Sequence, residues 1–458
     1  MIKKLLLIVI PLVFVWQCAP KVSYVQYFNS VVNDLQFENY SSALKKIDLA
    51  KKENRYTRKE RVLYYLDKGL VDYYAGDYNS SIKYLESAEQ AMEELFTRSV
   101  SQIAASYLLN DNVMDYYGEV YENLYVNIFK ALDYLNLNKM DDALVEAKRA
   151  NLKLQELDEK YGKMVDDLNS SKDSKVKITK PAQHFYDDVL AHYLSYLVYR
   201  SDEAEDEALI SKKKLLQAYE TESDVYYFDA PLFLKKRMPE LEETTLDVIA
   251  FTGSAPRKEA VGGLITTYDG YIGISDLSQP IALPNIPFPG MKAGYHFKFA
   301  FPVIQRVGSK IARINMRIDG KDHPSLYLLE DMGKVAEKTF ETKRNMIYIK
   351  TLVRTISKGL LAAEAKKKMK KKTNGNLFMN ALIDAAVDVG VDATEKADVR
   401  CWRTMPENCY VGEYFLNPGN HSLTVQFMTR DGLLIKEKKV MNYRVKKGVN
   451  ILDFVSLN

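Results

Sequence analysis

The stretch that decides the fold is residues 64–96, YYLDKGLVDYYAGDYNSSIKYLESAEQAMEELF. It predicts two short helices joined by the turn Ala75-Gly76-Asp77-Tyr78. Gly69 and Ala88 lie where two such helices must approach closely. An isolated helical hairpin cannot bury this much apolar surface, so we expect the hairpin to stack on neighbouring copies.

Two further segments repeat the pattern of this hairpin. Residues 27–50 carry small, aromatic and turn residues that match the central hairpin after a shift of 38 positions. Residues 127–150 repeat the same order, and a fourth, irregular hairpin is expected within 183–219. These copies resemble the tetratricopeptide repeat, whose small residues let paired helices interlock. A helical bundle without repeats is the alternative.

Composition and charge place the chain among globular proteins. It is 47% hydrophobic and 27% charged, and its 458 residues predict two or three domains. The formal net charge is +3, of which two charges belong to Lys3 and Lys4 near the N-terminus. A nearly neutral surface gives no reason to expect a nucleic-acid partner.

The N-terminus predicts secretion. A basic start at 1–4 precedes an apolar run at 5–15, which is too short for a comfortable membrane span. The pattern therefore favours a signal peptide at 1–17.

Cys18 lies where bacterial lipoproteins carry the cysteine that is acylated. Trp16 and Gln17 depart from the usual residues before it, so a plain secretory signal and an uncleaved anchor are the alternatives. Acyl chains on Cys18 would hold the protein at a membrane surface, and Ala19 favours the outer membrane.

The periodicity of the chain changes from helical to strand-like near residue 245. Residues 121–161 are expected to form one long helix before that point. The predicted fold class is α+β, with an N-terminal TPR-like α-solenoid followed by an antiparallel β-sandwich-like domain that carries a helical insertion. Two separate small β domains are the alternative. The expected divisions are a signal peptide at 1–17, a helical repeat domain at 18–224, a linker at 225–244, a β domain at 245–330 and 397–458, and a helical insertion at 331–396.

Two short motifs carry candidate site residues. Pro256, Arg257 and Lys258 follow a predicted strand and either bind a phosphate or a glycan acid or form a solvated turn. Asp398, Arg400 and Trp402 alternate, so on a strand they would share one face. There an ion pair between Asp398 and Arg400 would brace the indole through a cation–π contact, and a binding surface is the alternative.

The lysine-rich run at 366–372 closes a predicted helix. Lysines are favoured at the carbonyl end of a helix, so a solvated helix end is expected, with a polyanion contact as the alternative.

Cys401 and Cys409 are eight residues apart and would form either a disulfide or a pair of buried thiols. They have no nearby histidine that would complete a zinc site. The sequence contains no nucleophile elbow, phosphate loop, dinucleotide fingerprint or zinc-peptidase helix. It therefore predicts no catalytic residue, metal, cofactor or small-molecule substrate. A glycan-active enzyme remains an alternative if two carboxylates, or a histidine pair, converge in a cleft from distant positions.

The order of these features resembles a family of bacterial lipoproteins with tetratricopeptide-type N-terminal halves. The segments that carry the resemblance are YLSYLVY (193–199), GSAPRK (253–258), ADVRCWRTMP (397–406) and PGNHSLTV (418–425). Residues 202–206 depart from the usual Gly-Asp turn. The resemblance implies an envelope role, because some members lie beside genes for lipoproteins that activate peptidoglycan synthases.

These observations predict a non-enzymatic scaffold or adaptor of the cell envelope. It would be lipid-anchored through Cys18 and would bind a protein partner through its helical array. A surface-exposed lipoprotein that binds host or environmental ligands is the alternative.

Overall fold

The computed structural model describes residues 24–101, 111–170, 185–275, 277, 292–372 and 396–458. About half of the chain is helix and a quarter is strand. Helices occupy the N-terminal part, and sheets rich in antiparallel pairs occupy the C-terminal part, so the α+β class is confirmed. The predicted leader and Cys18 lie outside the described residues.

Within the described N-terminal part, eight α-helices form four hairpins. They are α1 (Tyr24–Gln36), α2 (Tyr40–Lys52), α3 (Arg61–Tyr74), α4 (Tyr78–Ser101), α5 (Val120–Asn136), α6 (Met140–Ser170), α7 (Val189–Ser201) and α8 (Glu205–Thr221). Each helix packs against the next along the chain, and the first helices of the last three hairpins also pack side by side.

The four hairpin turns share one backbone geometry. The second residue after each first helix has a positive φ: 59° at Glu38, 80° at Gly76, 56° at Asn138 and 58° at Glu203. The match between Glu38 and Gly76 accounts for the repeat of 38 seen in the sequence. The turn at Asn138 separates α5 from α6, so the expectation of one helix over 121–161 is wrong.

The close approach expected at Gly69 is confirmed. A Cβ placed on Gly69 would lie 2.9 Å from Leu85 Cδ2, nearer than side-chain atoms normally approach. Ala88 is fully buried in the same hairpin. The small residues of the central hairpin therefore set the distance between α3 and α4.

Strands follow the short helix α9 (Leu232–Lys235), and the long helix α10 (Met332–Lys372) interrupts them. The strands are β1 (Thr245–Thr252), β2 (Arg257–Tyr268), β3 (Tyr271–Ser275), β4 (His296–Gln305), β5 (Arg313–Ile318), β6 (Lys321–His323), β7 (Tyr327–Asp331), β8 (Asn408–Phe415), β9 (Gly419–Met428), β10 (Leu434–Val445) and β11 (Val449–Ser456).

The strands form three sheets. The first has the order β11-β1-β8-β7, the second β10-β9-β5-β6 and the third β3-β2-β4. The first two sheets combine strands from before and after α10, so the alternative of two separate β domains is wrong. Strand β11 runs parallel to β1, with Thr245 opposite Val449. The expected antiparallel pairing holds for the other strand pairs and fails for this one, because the last strand of the chain returns beside the first.

The first sheet lies between the helical hairpins and the second sheet. In β1, Leu246 and Val248 pack toward the second sheet, whereas Asp247, Ile249 and Phe251 face the helices. All eight residues of β1 are buried.

Three tyrosines join the hairpins to the helix-facing side of the first sheet. Tyr73 of α3 donates to Asp453 of β11 at 2.7 Å, and Tyr193 of α7 donates to Asp247 of β1 at 3.3 Å. Tyr125 of α5 donates to Glu330 of β7. The chain's own sheet therefore covers the inner faces of these three first helices.

Candidate functional site: a charged cleft at the junction

A cleft of about 80 Å³ lies chiefly where four parts of the chain meet. These parts are the connection 111–119 before α5, the start of β2, the middle of α10 and the segment 396–407 before β8. Four basic and four acidic side chains line the cleft. Its apolar lining includes Met114, Met164, Pro302, Met346 and Ile347.

Glu119 is the acidic centre of the cleft. It is the N-cap residue of α5, so its side chain lies at the start of that helix. Its carboxylate pairs with Lys258 of β2 at 2.7 Å and with Lys343 of α10, and all three residues are buried. Burial alone would raise the pKa of Glu119, but Lys258 and Lys343 together lower it. Burial alone would likewise lower the pKa of Lys258, and Glu119 raises it.

This pairing and the burial of the 256–258 motif bear on the solvated-turn interpretation of that motif. Arg257 and Lys258 begin β2, and Pro256 and Lys258 are buried, so the motif is not a solvated turn. The Lys258 ammonium is bonded to Glu119, which leaves Arg257 as the half-exposed cation of the motif.

Asp398 and Arg400 form the second charged group of the cleft. The Arg400 guanidinium donates to Asp398 through Nε and Nη2, each at 2.8 Å. It also donates to the backbone oxygens of Met114 and Asp111 at 3.1 and 2.9 Å. Burial alone would raise the pKa of Asp398, but Lys258 and Arg400 lower it to about 2.

The Asp398-Arg400-Trp402 motif does not lie on a strand. Residues 396–407 are extended without a sheet partner, because side chains bond their backbone groups: Arg400 N donates to Asp398, and Trp402 N donates to Glu122. The ion pair between Asp398 and Arg400 is present, but the guanidinium lies 5.2 Å from the ring centre of Tyr116. The expected contact between Arg400 and the indole of Trp402 is therefore wrong.

Trp402 anchors the motif beneath the cleft. It is fully buried, its Nε1 donates to Thr404 Oγ1 at 2.8 Å, and its ring packs edge-on against Phe129 of α5. Glu122 accepts from Trp402 N at 2.6 Å and from Tyr116 OH at 2.7 Å. Burial raises the pKa of Glu122, and the nearby Glu119 raises it further.

Cys401 and Cys409 are both buried and both free, so the disulfide considered from their spacing does not form. Cys409 lies in β8 opposite Phe251 of β1, whereas Cys401 belongs to the extended segment beside Trp402. Burial raises the pKa of both thiols.

The remaining two acids of the cleft also have basic partners. Asp111 pairs with Lys350 of α10 at 3.3 Å, and Asp115 lies 3.8 Å from Arg98 of α4. The cleft does bring carboxylates together from distant positions, which the glycan-active alternative requires. A general acid or base needs a pKa near the working pH. Glu119 and Asp398 have lowered pKa values and are ion-paired, so their arrangement suits recognition better than proton transfer.

Sequence reasoning identified Lys258, Asp398 and Arg400, and the structure places all three on the cleft. It missed Glu119 and Lys343, which are single charged residues far from the motifs. The one available signal was Lys343 itself, a lysine within an otherwise amphipathic segment of α10. Pairing of Glu119 with Lys258 spans 139 residues, and no local pattern reports such a contact.

Comparison with protein-family profiles, curated proteins and solved structures finds no match. Among the described residues, no helix is long and apolar enough to cross a bilayer. In the same part of the chain, no group of three histidine, cysteine or acidic side chains is placed to hold a metal ion.

Proposed function

We propose that this protein is a lipid-anchored scaffold or adaptor of the cell envelope that holds a protein partner at the charged cleft. In this proposal Cys18 carries the acyl chains, at the periplasmic face of the outer membrane. The four hairpins are divergent tetratricopeptide-type units, and the first two sheets form a sandwich that supports them.

The observation that carries the proposal is the cleft itself. Binding pockets combine an apolar lining with a few fixed polar groups, and this cleft has five apolar residues beside charges that are already paired. Charges that hold one another in place need little rearrangement when a partner arrives. A partner segment with apolar side chains would fill the lining and meet the ion pairs of Asp398 with Arg400 and of Asp111 with Lys350, which keep some exposed surface.

The helical array does not offer an open peptide groove along its inner faces. Tyr73, Tyr125 and Tyr193 bond the first helices to the first sheet, so those inner faces are already occupied. The accessible surfaces are the cleft and the outer faces of the second helices, which carry most of the exposed residues of the hairpins. We therefore assign partner binding to the cleft and a bracing role to the inner faces of the array.

Site-specific photocrosslinking in cells tests where a partner binds. A photoreactive side chain at Ile347 or Met164 would lie in the cleft, and the matched control is Ile210, an exposed apolar residue of α8. We expect both cleft positions to crosslink to the same envelope protein and the control position to give no such product. The substitution Ile347→Trp should fill the cleft and abolish the product, whereas Ile210→Trp should not. Equal crosslinking at Ile210, or none in the cleft, would contradict the proposal.

The anchor is tested separately. Cys18→Ser should prevent incorporation of labelled fatty acid, since no thiol remains at that position to be acylated. Incorporation that survives this substitution would exclude Cys18 as the acylated residue. Protease treatment of intact cells then distinguishes a periplasmic adaptor, which is protected, from a surface-exposed ligand-binding lipoprotein, which is cleaved.

A further inference from the structure

An exposed aromatic pair forms the tip of the hairpin between β2 and β3. Tyr268 and Tyr271 stack with ring centres 4.8 Å apart and planes inclined by 10°. They are 41% and 54% exposed, respectively. The turn between them contains Gly270, whose φ of 82° fits the tight reversal. Two adjacent, outward-facing phenol rings are a large apolar surface for a hairpin tip.

The end of α10 is a second exposed feature. Beyond Gly359, none of its described side chains is buried, although the helix continues for thirteen residues to Lys372. At a rise of 1.5 Å per residue this end extends about 20 Å past the packed part of the helix. Residues 360–372 include six lysines and one glutamate in a chain whose formal net charge is only +3.

This helix end has apolar residues as well as lysines. Leu361 is 63% exposed and Met369 is 45% exposed, and the eight residues from one to the other place their side chains about 80° apart around the helix axis. Lys367 and Lys368 are exposed beside Met369. The helix end therefore exposes apolar and basic side chains together.

The two features lie at the same end of the molecule. Tyr348 stacks on Phe301, and Gly359 contacts Phe297, so α10 runs antiparallel to β4. Strand β2 pairs antiparallel with β4, with Thr266 opposite His296, and then continues to the tyrosine tip. The free end of α10 and the tip of the β2–β3 hairpin therefore point the same way from the third sheet.

We propose that this end of the molecule binds the surface of an anionic phospholipid bilayer. Tyrosine is suited to the boundary between headgroups and acyl chains, and lysines near an anionic surface each add about 1 kcal/mol of attraction. Leu361 and Met369 would enter the acyl boundary while Lys367 and Lys368 reach the phosphates. A soluble polyanion would bind the lysines but would make no contact that needs the two tyrosines. This contact is independent of the partner cleft and of Cys18, and it would fix how the folded body is oriented on a membrane.

Vesicle sedimentation tests the proposal. The protein is the chain from residue 19 onward, which keeps every described residue and lacks the predicted acylation site. We expect it to sediment with vesicles of phosphatidylcholine and phosphatidylglycerol and not with phosphatidylcholine alone. The bound fraction should fall as salt is raised, because screening weakens the lysine contacts.

Two paired variants separate the lysine and tyrosine contributions. Lys367→Gln with Lys368→Gln should weaken binding roughly thirtyfold. The matched control, Lys213→Gln with Lys214→Gln, removes the same charge from exposed positions on α8 and should leave binding unchanged. Tyr268→Ser with Tyr271→Ser should weaken vesicle binding several-fold but leave any binding to soluble polyphosphate unchanged.

The circular dichroism melting curve of each variant shows whether it is folded, and only folded variants are compared. Several results would overturn the proposal: no sedimentation with anionic vesicles, equal loss in the Lys213 and Lys214 control, or no effect of the tyrosine substitutions. Binding to polyphosphate as tight as binding to vesicles of equal charge would identify a polyanion surface instead.

Discussion

The two faces of the first sheet are both buried, yet they are built from different chemistry. Toward the second sheet, β1 presents Leu246, Val248 and Ala250. Aliphatic and aromatic residues of the facing strands pack against them. Toward the helices, the same sheet presents Asp247, Glu330, Glu413 and Asp453, all buried or nearly so. One sheet therefore has an apolar face and a face lined with carboxyl groups.

The difference between the two faces shows how the helical hairpins are held against the sheets. Apolar packing between sheets is non-directional and tolerates small shifts, whereas a buried hydrogen bond fixes a position. Each of three consecutive first helices donates one tyrosine hydroxyl to one acid of the sheet, through Tyr73, Tyr125 and Tyr193. The apolar face holds the sheets together, and the carboxyl face sets the orientation of the hairpins.

The largest effect should come from removing the cation of the helix-facing side. Arg200 pairs with Glu413 at 2.9 Å and with Asp247 at 3.5 Å, and it donates to Thr245 Oγ1 at 2.9 Å. Arg200→Met should lower the free energy of unfolding by about 3–5 kcal/mol, because it leaves buried acids without their partner. Urea denaturation measures this loss. Lys213→Met, at an exposed position on the next helix, is the control and should cost far less; a loss below about 1 kcal/mol for Arg200→Met would contradict the assignment.

A matched change on the apolar face should cost nearly as much but behave differently with pH. Leu246→Ala removes a fully buried side chain and should lower the free energy of unfolding by about 2–5 kcal/mol. No ionisable group is lost, so the cost should be the same at pH 5.5 and pH 9, whereas the cost of Arg200→Met should shrink in acid as the carboxyls take up protons. If the loss of stability depends on pH equally in the two variants, the two faces of the first sheet do not differ in their sensitivity to pH.

The wild-type protein should itself be less stable in alkali. Burial raises the pKa of Asp67 to about 8 and that of Glu413 to about 8, and it raises the pKa of Asp188 to about 6. These folded carboxyls keep protons that the unfolded chain releases near pH 4, so their contribution favours folding in acid and is lost as pH rises toward 8. Asp67 alone keeps its proton over about 2.5 pH units above pH 5.5, and one pKa unit corresponds to about 1.4 kcal/mol, so we expect the unfolding free energy at pH 9 to be at least about 3 kcal/mol below that at pH 5.5.

The cleft acids Glu119 and Asp398 change the free energy of unfolding in the opposite direction, and they do so in another pH range. The lowered pKa values of Glu119 and Asp398 give stability that is lost only as pH falls below about 4. They do not offset the alkaline loss between pH 5.5 and pH 9. An unfolding free energy that rises over that interval would contradict the assignment of protonated acids at the helix-facing side.

Local patterns in the sequence predicted six strands of the first two sheets and missed the short strands β6 and β7. The apolar character of 246–252 and 449–455 gave β1 and β11 to within one residue at each end, because both strands lie in the core sheet. Strand β2 was missed, since charged residues at its start and the pair Gly262 and Gly263 hide its alternation. Strand β7 was missed although it lies in the core sheet, so burial alone does not decide which strands a local pattern marks.

The cleft was predictable only in part, for a related reason. Asp398, Arg400 and Trp402 alternate as in a strand, but their segment bonds to side chains from other elements and forms no ladder. The pairing of Arg400 with the connection before α5 depends on the backbone oxygens of Asp111 and Met114 and on the ring of Tyr116, which no nearby pattern marks. The unusual residues of the 397–406 motif identified one part of the cleft. The residues that pair with this motif became known only from the fold.

The smallest expected effect concerns the thiols, and it allows the two faces to be compared directly. Because Cys401 and Cys409 are unbridged, a reducing agent should shift the melting temperature by less than about 1 °C, whereas loss of a disulfide would lower it markedly.

Cys409 lies on the helix-facing side of β8, so the rate at which a thiol reagent labels it reports opening of that side. Ala250→Cys places a matched thiol on the opposite face of the same sheet. After correction for the labelling rates of the unfolded chain, raising the pH from 5.5 to 9 should speed labelling of Cys409 more than labelling at position 250. Equal acceleration at the two positions would show that the sheet opens as one unit and that its carboxyl face has no separate sensitivity to pH.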